Sequence, residues 1–435
     1  MNRGSRFAAA IAVPVVLGAA LLATAPPPYL VDVTAASIED AEPADTFITK
    51  SPAVAPFYDV DAASLPDGEP GDLIKAETVQ GGPDGVKTYR IMYHSTDLQG
   101  NDIPVTGLYV VPDKPPPPSG WPLVSYTHGT TGIGRACGMS QSPFEPNTPG
   151  YSHFARFLKP TAEQGWAVVA TDYSGMGAPG PNSYLVGPLE ARGALDAIRA
   201  VAVQDPTTGS TPIDTNKVGV YGSSQGGSAA LSTLELAPEY APELDIKGGI
   251  AMALGVVAPI PGAINLIASN PTSTAQNMFL LLIVKSYADS YPDLVNLDNV
   301  LTEEGKKRLP LLDQYCGDDL SKRVEDIPLA DMLQQPLDPG IVKALAMSMP
   351  GGTPFTQPAV ITQGLEDVTI VPQFSHAQVM NSCAWGDQVY YATYPDDTHY
   401  TVVLTSRTAS PHVFQWMNDR FAGIPAPTNC ANESR

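Results

Sequence analysis

Between residues 218 and 236 the chain passes from the apolar run Val218-Gly219-Val220-Tyr221 through Gly222-Ser223-Ser224-Gln225-Gly226 into a helix-forming stretch. A bare G-x-S-x-G is a weak signal, because glycine and serine are common. Between a strand and a helix it acquires a mechanical meaning. The serine occupies a tight turn that lifts its hydroxyl clear of the sheet, and the flanking glycines leave room for that turn. The same turn places Ser224 at a helix N-terminus, where the Gln225 amide can donate to an oxyanion with help from the helix dipole. The competing reading of Ser224 is an ordinary helix N-cap.

The rest of the chain supplies the sheet that such a turn requires. Alternating apolar runs at 88–94 and 105–111, bounded by Gly100-Asn101-Asp102 and by Pro112, read as antiparallel strands. Nearly unbroken apolar runs at 123–126, 166–171, 218–221 and 250–254 read as buried strands, and 359–362 and 388–394 continue the series. Between 190 and 202, Ala194, Leu195, Ile198 and Val201 recur at helical spacing, and 413–421 forms a closing helix. Strands alternating with helices indicate an α/β fold with a mostly parallel sheet covered on both faces. From 259 to 350 the alternation gives way to helical material, read as an inserted cap. Its apolar run, 278–284, is too short to cross a bilayer and reads as a helix packed into the cap's own core.

A length of 435 residues accommodates one large domain with a sizeable insertion, and 43% hydrophobic against 16% charged residues is enough to bury a substantial core. Arg3 and Arg6, an apolar stretch and the triplet Ala23-Thr24-Ala25 read as a secretory signal peptide cut near Ala25. The expected organisation is therefore a signal peptide (1–25), an extended N-terminal arm (26–86), the first part of the core (87–258), the cap (259–350) and the second part of the core (351–435). Removing the first 25 residues takes away two arginines and no acid, so the net charge goes from −21 to −23. Nucleic acid and anionic membranes should repel such a chain. Four cysteines in an exported protein favour two disulfides. Three pairings are open; the preferred one joins Cys137 to Cys316 and Cys383 to Cys430. None has the close spacing of a zinc site, and no cofactor is expected.

An activated serine needs a base held by an acid, and behind this kind of turn they follow in the order acid, then histidine. The strand ending at Thr362 leads into Gln363-Gly364-Leu365-Glu366-Asp367, so Glu366 and Asp367 are the candidate acids. The last strand leads into Pro395-Asp396-Asp397-Thr398-His399, which makes His399 the candidate base. His94, His128 and His153 precede the nucleophile. With His376 and His412 they read as surface or capping residues, His128 bracing its own loop. That loop, Thr127-His128-Gly129-Thr130-Thr131-Gly132, follows the strand at 123–126 and should bring the second oxyanion donor, with Thr131 favoured over Thr130. Asp172, just after a strand, reads as a turn-stabilising carboxylate.

Together these pieces resemble the secretory lipase family of α/β-hydrolases, which includes fungal secreted lipases with acyltransferase side activity. The resemblance rests on 128–132, on Asp172-Tyr173-Ser174-Gly175-Met176-Gly177, on 184–197 with Glu190, Ala191, Arg192 and Asp196, on the elbow, on Gln363-Gly364 through Asp367 to Val371-Pro372, and on His399. It implies Asp367 as the acid and a helical cap over an acyl-binding tunnel. The function expected is hydrolysis of carboxylic esters, as a triacylglycerol lipase or esterase, by Ser224, Asp367 and His399 with oxyanion amides from Gln225 and Thr131. The substrate would be a small-molecule or lipid ester, with room for transient contact with a lipid surface. Alternatives are an acyltransferase or peptidase on the same residues and a non-catalytic lipid carrier.

Overall fold

A computed structural model describes residues 53–203, 213–256, 275–403, 406 and 409–433. The expected signal peptide, the start of the arm and the opening of the insertion lie outside the described residues. The strands are β1 (Leu73–Thr78), β2 (Val86–Thr96), β3 (Asp102–Pro112), β4 (Trp121–Thr127), β5 (Ala167–Thr171), β6 (Ile213–Ser223), β7 (Ile246–Met252), β8 (Ala359–Gly364) and β9 (Val389–Tyr394). The principal helices are α1 (Gly187–Val203), α2 (Gln225–Tyr240), α3 (Ala275–Ser290), α4 (Gly317–Val324), α5 (Pro339–Ser348), α6 (Pro372–Trp385) and α7 (Ala409–Phe421).

The strands form one sheet in the order β1-β2-β3-β5-β4-β6-β7-β8-β9. The first three pair antiparallel, β3 continues antiparallel onto β5, and from there to β9 every pairing is parallel. Alternate residues of the parallel strands feed two cores. Leu123, Val169, Val218 and Val220 pack under α1 and α2, while Val124, Val168, Tyr221 and Ile250 meet Val413, Trp416 and Met417 of α7. Each such side chain contributes about 1.5–3 kcal/mol when fully buried. Burial on both faces explains why these strands read as unbroken apolar runs.

Three differences from the sequence reading have physical reasons. β1 falls within the segment expected as an extended arm; it is an edge strand with only partly buried residues, so the Ile74-Lys75-Ala76-Glu77 alternation is too short to read as a strand. β2 and β3 run to 11 residues each, because backbone pairing continues past the apolar centre. β7 starts earlier than expected and stops at Met252, where Ala253 adopts φ 47°.

Between β7 and β8 the described residues carry only helices and turns, apart from one isolated bridge between Leu301 and Leu333. The apolar run expected inside an independent cap core belongs to α3 and divides its faces: Leu281 and Leu282 join the main core, while Phe279, Leu280 and Ile283 line a cavity. The carboxyl ends of β4, β6, β7 and β8 converge beside that cavity, the usual place for a ligand in a parallel sheet.

Candidate active site

Ser224 stands between the last residue of β6 and the first of α2 with φ 56° and ψ −124°. A non-glycine residue in this region stores roughly 1–3 kcal/mol of strain. The surrounding backbone holds it there. The Ser224 N–H donates to the Met252 carbonyl at 2.9 Å, and its own carbonyl accepts from Gly227 at 2.8 Å and Gly255 at 2.9 Å. The elbow glycines are required by space. A Cβ on Gly226 would collide with the Thr127 carbonyl oxygen, and one on Gly222 with the Gly226 carbonyl oxygen.

Two distant loops meet the serine. His399, beyond β9, places Nε2 3.0 Å from Ser224 Oγ and Nδ1 2.8 Å from Asp367 Oδ2. An ionised carboxylate only accepts, so the Nδ1 proton points at Asp367 and Nε2 is left to accept from the serine hydroxyl. The Asp367 carboxylate, fully buried, also accepts from the amides of Thr369 (2.9 Å) and Ile370 (2.8 Å) and from Gln363 Nε2 (3.1 Å). Gln363 is itself held by the Ser375 hydroxyl, which donates to its Oε1 at 2.6 Å. The rival carboxylate, Glu366, is exposed.

The loop after β4 approaches from the other side, with Gly129 packed so close that a Cβ there would lie 3.5 Å from that of Ser224. Here the two threonines part company. Thr130 lines the cavity with Ser224 and Gln225, and its hydroxyl pairs with Tyr184 at 2.8 Å. Thr131 points away, fully buried, and its carbonyl accepts from Gly317 at 2.9 Å, next to the Cys137–Cys316 disulfide. Adjacent residues of an extended loop face opposite ways, and sequence does not say which faces the serine.

The cavity measures about 210 Å³ and is walled chiefly by aliphatic side chains of α3, α5 and the loop at 368–371. Among its few polar walls is Gln225, whose side-chain amide donates to Glu190 at 2.6 Å. Burial pushes the Glu190 carboxyl up to about 8. Glu190, Tyr184 and Gln363 entered the sequence reading only through motif resemblance. Glu190 and Tyr184 act through contacts across the fold, and Gln363 through Asp367 four residues on, a pairing that depends on both being buried.

The histidines expected at the surface are mostly buried. His94 faces Asp102, His153 meets the Tyr126 hydroxyl at 2.7 Å, and His412 meets that of Tyr394 at 2.6 Å. Tyrosine hydroxyls and a carboxylate satisfy them inside, which sequence spacing does not reveal. His128 donates from Nδ1 to the Gly129 carbonyl at 2.7 Å and packs on Tyr173; burial depresses its pKa. Asp172 accepts from Ser140 and from Thr106, behind the site. Among the described residues no cluster of His, Cys, Asp and Glu is arranged to hold a metal ion. The two disulfides join Cys137 to Cys316 and Cys383 to Cys430, the preferred pairing.

The chain has relatives among known proteins. The chain is similar to a probable inactive lipase of Mycobacterium tuberculosis, 26% identical over 79% of this chain and 75% of that one. It is also similar to lipase A of Arthroderma benhamiae, 24% identical over 80% and 73%. Among solved structures, Candida antarctica lipase A in its closed state superimposes with a TM-score of 0.69 at 19% identity, covering 88% of this chain and 89% of that one. The rice cell wall degrading esterase LipA of Xanthomonas oryzae does so with a TM-score of 0.61 at 17% identity, covering 82% and 97%. These likenesses establish the α/β-hydrolase fold. The sequence profile of the secretory lipase family matches residues 153–429, well over half of the chain, and the protein therefore belongs to that family.

Proposed function

We propose that this protein is a secreted carboxylic ester hydrolase, a lipase or esterase, working through an acyl-enzyme on Ser224. The observation that carries the reading is the strained Ser224 elbow within hydrogen-bond reach of His399, itself backed by buried Asp367, at the end of an apolar cavity. His399 Nε2 takes the Oγ proton as Oγ attacks the ester carbonyl carbon. The resulting oxyanion rests on the main-chain amides of Gln225 and Thr130, Thr130 replacing Thr131 because it faces the cavity. Return of the proton to the leaving alcohol breaks the C–O bond, and water repeats the cycle to release the acid. One well-placed oxyanion donor is worth about 2.7–4 kcal/mol.

The aliphatic walls suit the acyl chain of a lipid ester. The insertion expected at about 259–350, helical over its described residues from 275, acts as the cap over it. Val368, 88% exposed at the cavity edge next to Asp367, offers an apolar contact to a lipid surface. Two disulfides suit export, with signal cleavage near Ala25.

The mycobacterial relative's description as inactive makes the lipid-carrier reading the one to test against. A chain-length series of esters, with wild type and Ser224→Ala, separates them. Turnover should fall at least about a thousandfold in Ser224→Ala, and a fluorophosphonate should label only the wild type. Equal turnover by the mutant would refute Ser224. An unlabelled, inactive wild type that still binds fatty acid would identify a carrier.

A further inference from the structure

Glu190 lies in the first turn of α1, is fully buried, and reaches across to the residue that follows the nucleophile. One of its oxygens, Oε1, accepts from Gln225 Nε2 at 2.6 Å and from the Leu185 N–H at 3.1 Å. Leu185 lines the cavity and is held at φ 54°, a conformation leucine rarely takes. The other Glu190 oxygen, Oε2, and the other Gln225 atom, Oε1, are both buried with no partner among the described residues. These two leftover atoms belong to the same pair of side chains, and both are acceptors if Glu190 is ionised. A proton on Oε2 turns one of them into a donor. That proton supplies the donor the Gln225 amide oxygen lacks, so the two side chains can pair through Gln225 Nε2–H to Oε1 and Glu190 Oε2–H to the amide oxygen. Ionised, the pair keeps two buried acceptors without donors, each costing about 1–3 kcal/mol.

We propose that Glu190 is a positioning residue of the esterase site: as a neutral acid paired with the Gln225 amide it fixes the oxyanion donor and the strained Leu185 wall, and on ionising it disables both. The inference rests on the Ser224 reading above. Gln225 carries the main-chain N–H assigned to the oxyanion, so its orientation is set partly by its side chain. A carboxylate behind that amide would also oppose the negative charge that develops on the substrate oxygen.

Burial sets where this happens: it outweighs the bonds from Gln225 and Leu185 and pushes the carboxyl up to about 8, with no charged group contributing. The titratable groups that sense Glu190 from neighbouring elements are Tyr173 after β5, Tyr184 before α1 and Tyr287 on α3. Burial raises all three, so they stay neutral throughout the range. Mildly alkaline solution therefore ionises Glu190 while these neighbours remain unchanged.

The test is kcat against pH from 6 to 10 on a soluble short-chain ester, for wild type, Glu190→Gln, Glu190→Ala and Ser224→Ala. Wild-type kcat should fall at least about fivefold through a midpoint near 8. Glutamine can make both bonds and cannot ionise, so E190Q should stay within about threefold of wild type at pH 7 and lose that midpoint. E190A should lose about tenfold or more in kcat at pH 7, with KM changed less. An E190Q profile that superimposes on wild type overturns the inference while leaving Ser224 intact; turnover by Ser224→Ala overturns the underlying reading instead. Should E190Q not fold, a carboxyl-carbon NMR titration of E235Q, which removes the other high-titrating glutamate, reads Glu190 directly. A glutamate midpoint near 8 supports the assignment, and none above 6 defeats it.

Discussion

Asp367 receives four hydrogen bonds, one from His399, two from main-chain amides and one from Gln363. The last is the weakest geometrically, yet Gln363 is buried and ties Asp367 to Ser375 on α6. Gln363→Leu should leave Asp367 Oδ2 with His399 as its one partner among the described residues, while the two main-chain amides keep Oδ1 in place. A lost bond to a charged group is worth about 1.5–3 kcal/mol, so kcat should fall roughly ten- to a hundredfold with KM nearly unchanged. Steady-state kinetics on a soluble ester would settle it, and a wild-type kcat would remove Gln363 from the relay. Ser224 and His399 stand out in the sequence because each follows a strand, in a fixed order, whereas Asp367 is separated from Glu366 only by the family resemblance. Gln363 and Glu190 do not stand out, since what each does depends on a partner 4 and 35 residues away and on burial.

The loop after β4 and the segment entering α4 are joined twice, by Cys137–Cys316 and by Gly317 N–H donating to the Thr131 carbonyl. The insertion is thus fastened to the element that carries Thr130. Cys383–Cys430 joins α6 to the C-terminal segment, and neither of its cysteines lines the cavity. Replacing Cys137 and Cys316 by alanine should cost about 2–5 kcal/mol in denaturant unfolding. It should also lower kcat/KM by roughly tenfold, since a shift near 1 Å in a catalytic group is expensive. The Cys383/Cys430 double mutant should stay within about threefold in kcat/KM, because its constraint lies away from Thr130. Equal losses of activity in the two would show that the first disulfide has no special bearing on the site. Parallel strands and long helices were readable because burial on two faces or one stripe imprints a pattern. β1 was not, because an edge strand needs only backbone partners.

The whole molecule stores protons in its interior. Burial holds Glu190 and Glu235 up at about 8 against an ordinary 4.5, so folding takes up a proton at each between those values. Their stabilisation is complete below 4.5 and is lost as pH rises to 8. Buried His128 and His153 work in the opposite sense: burial depresses both from 6.5, so their stabilisation is present above 6.5 and is lost at lower pH. Between pH 8 and 6.5 the two raised glutamates lead the change, and stability should rise on acidification by up to about 1.4 kcal/mol per pH unit for each of them, with Tm rising accordingly. Calorimetry of wild type and E235Q checks this, with the variant showing about half the slope; a Tm that rises with pH from 6.5 to 8 would contradict it. Apolar periodicity and turn chemistry, both local, were enough to read a parallel sheet, a serine elbow and the order of acid and base from the chain alone. Which threonine faces the serine, which histidines lie inside, how α3 divides its faces and which carboxyl keeps its proton depend on partners far apart in sequence, and packing settled them because desolvation acts on a group only once the fold has closed around it.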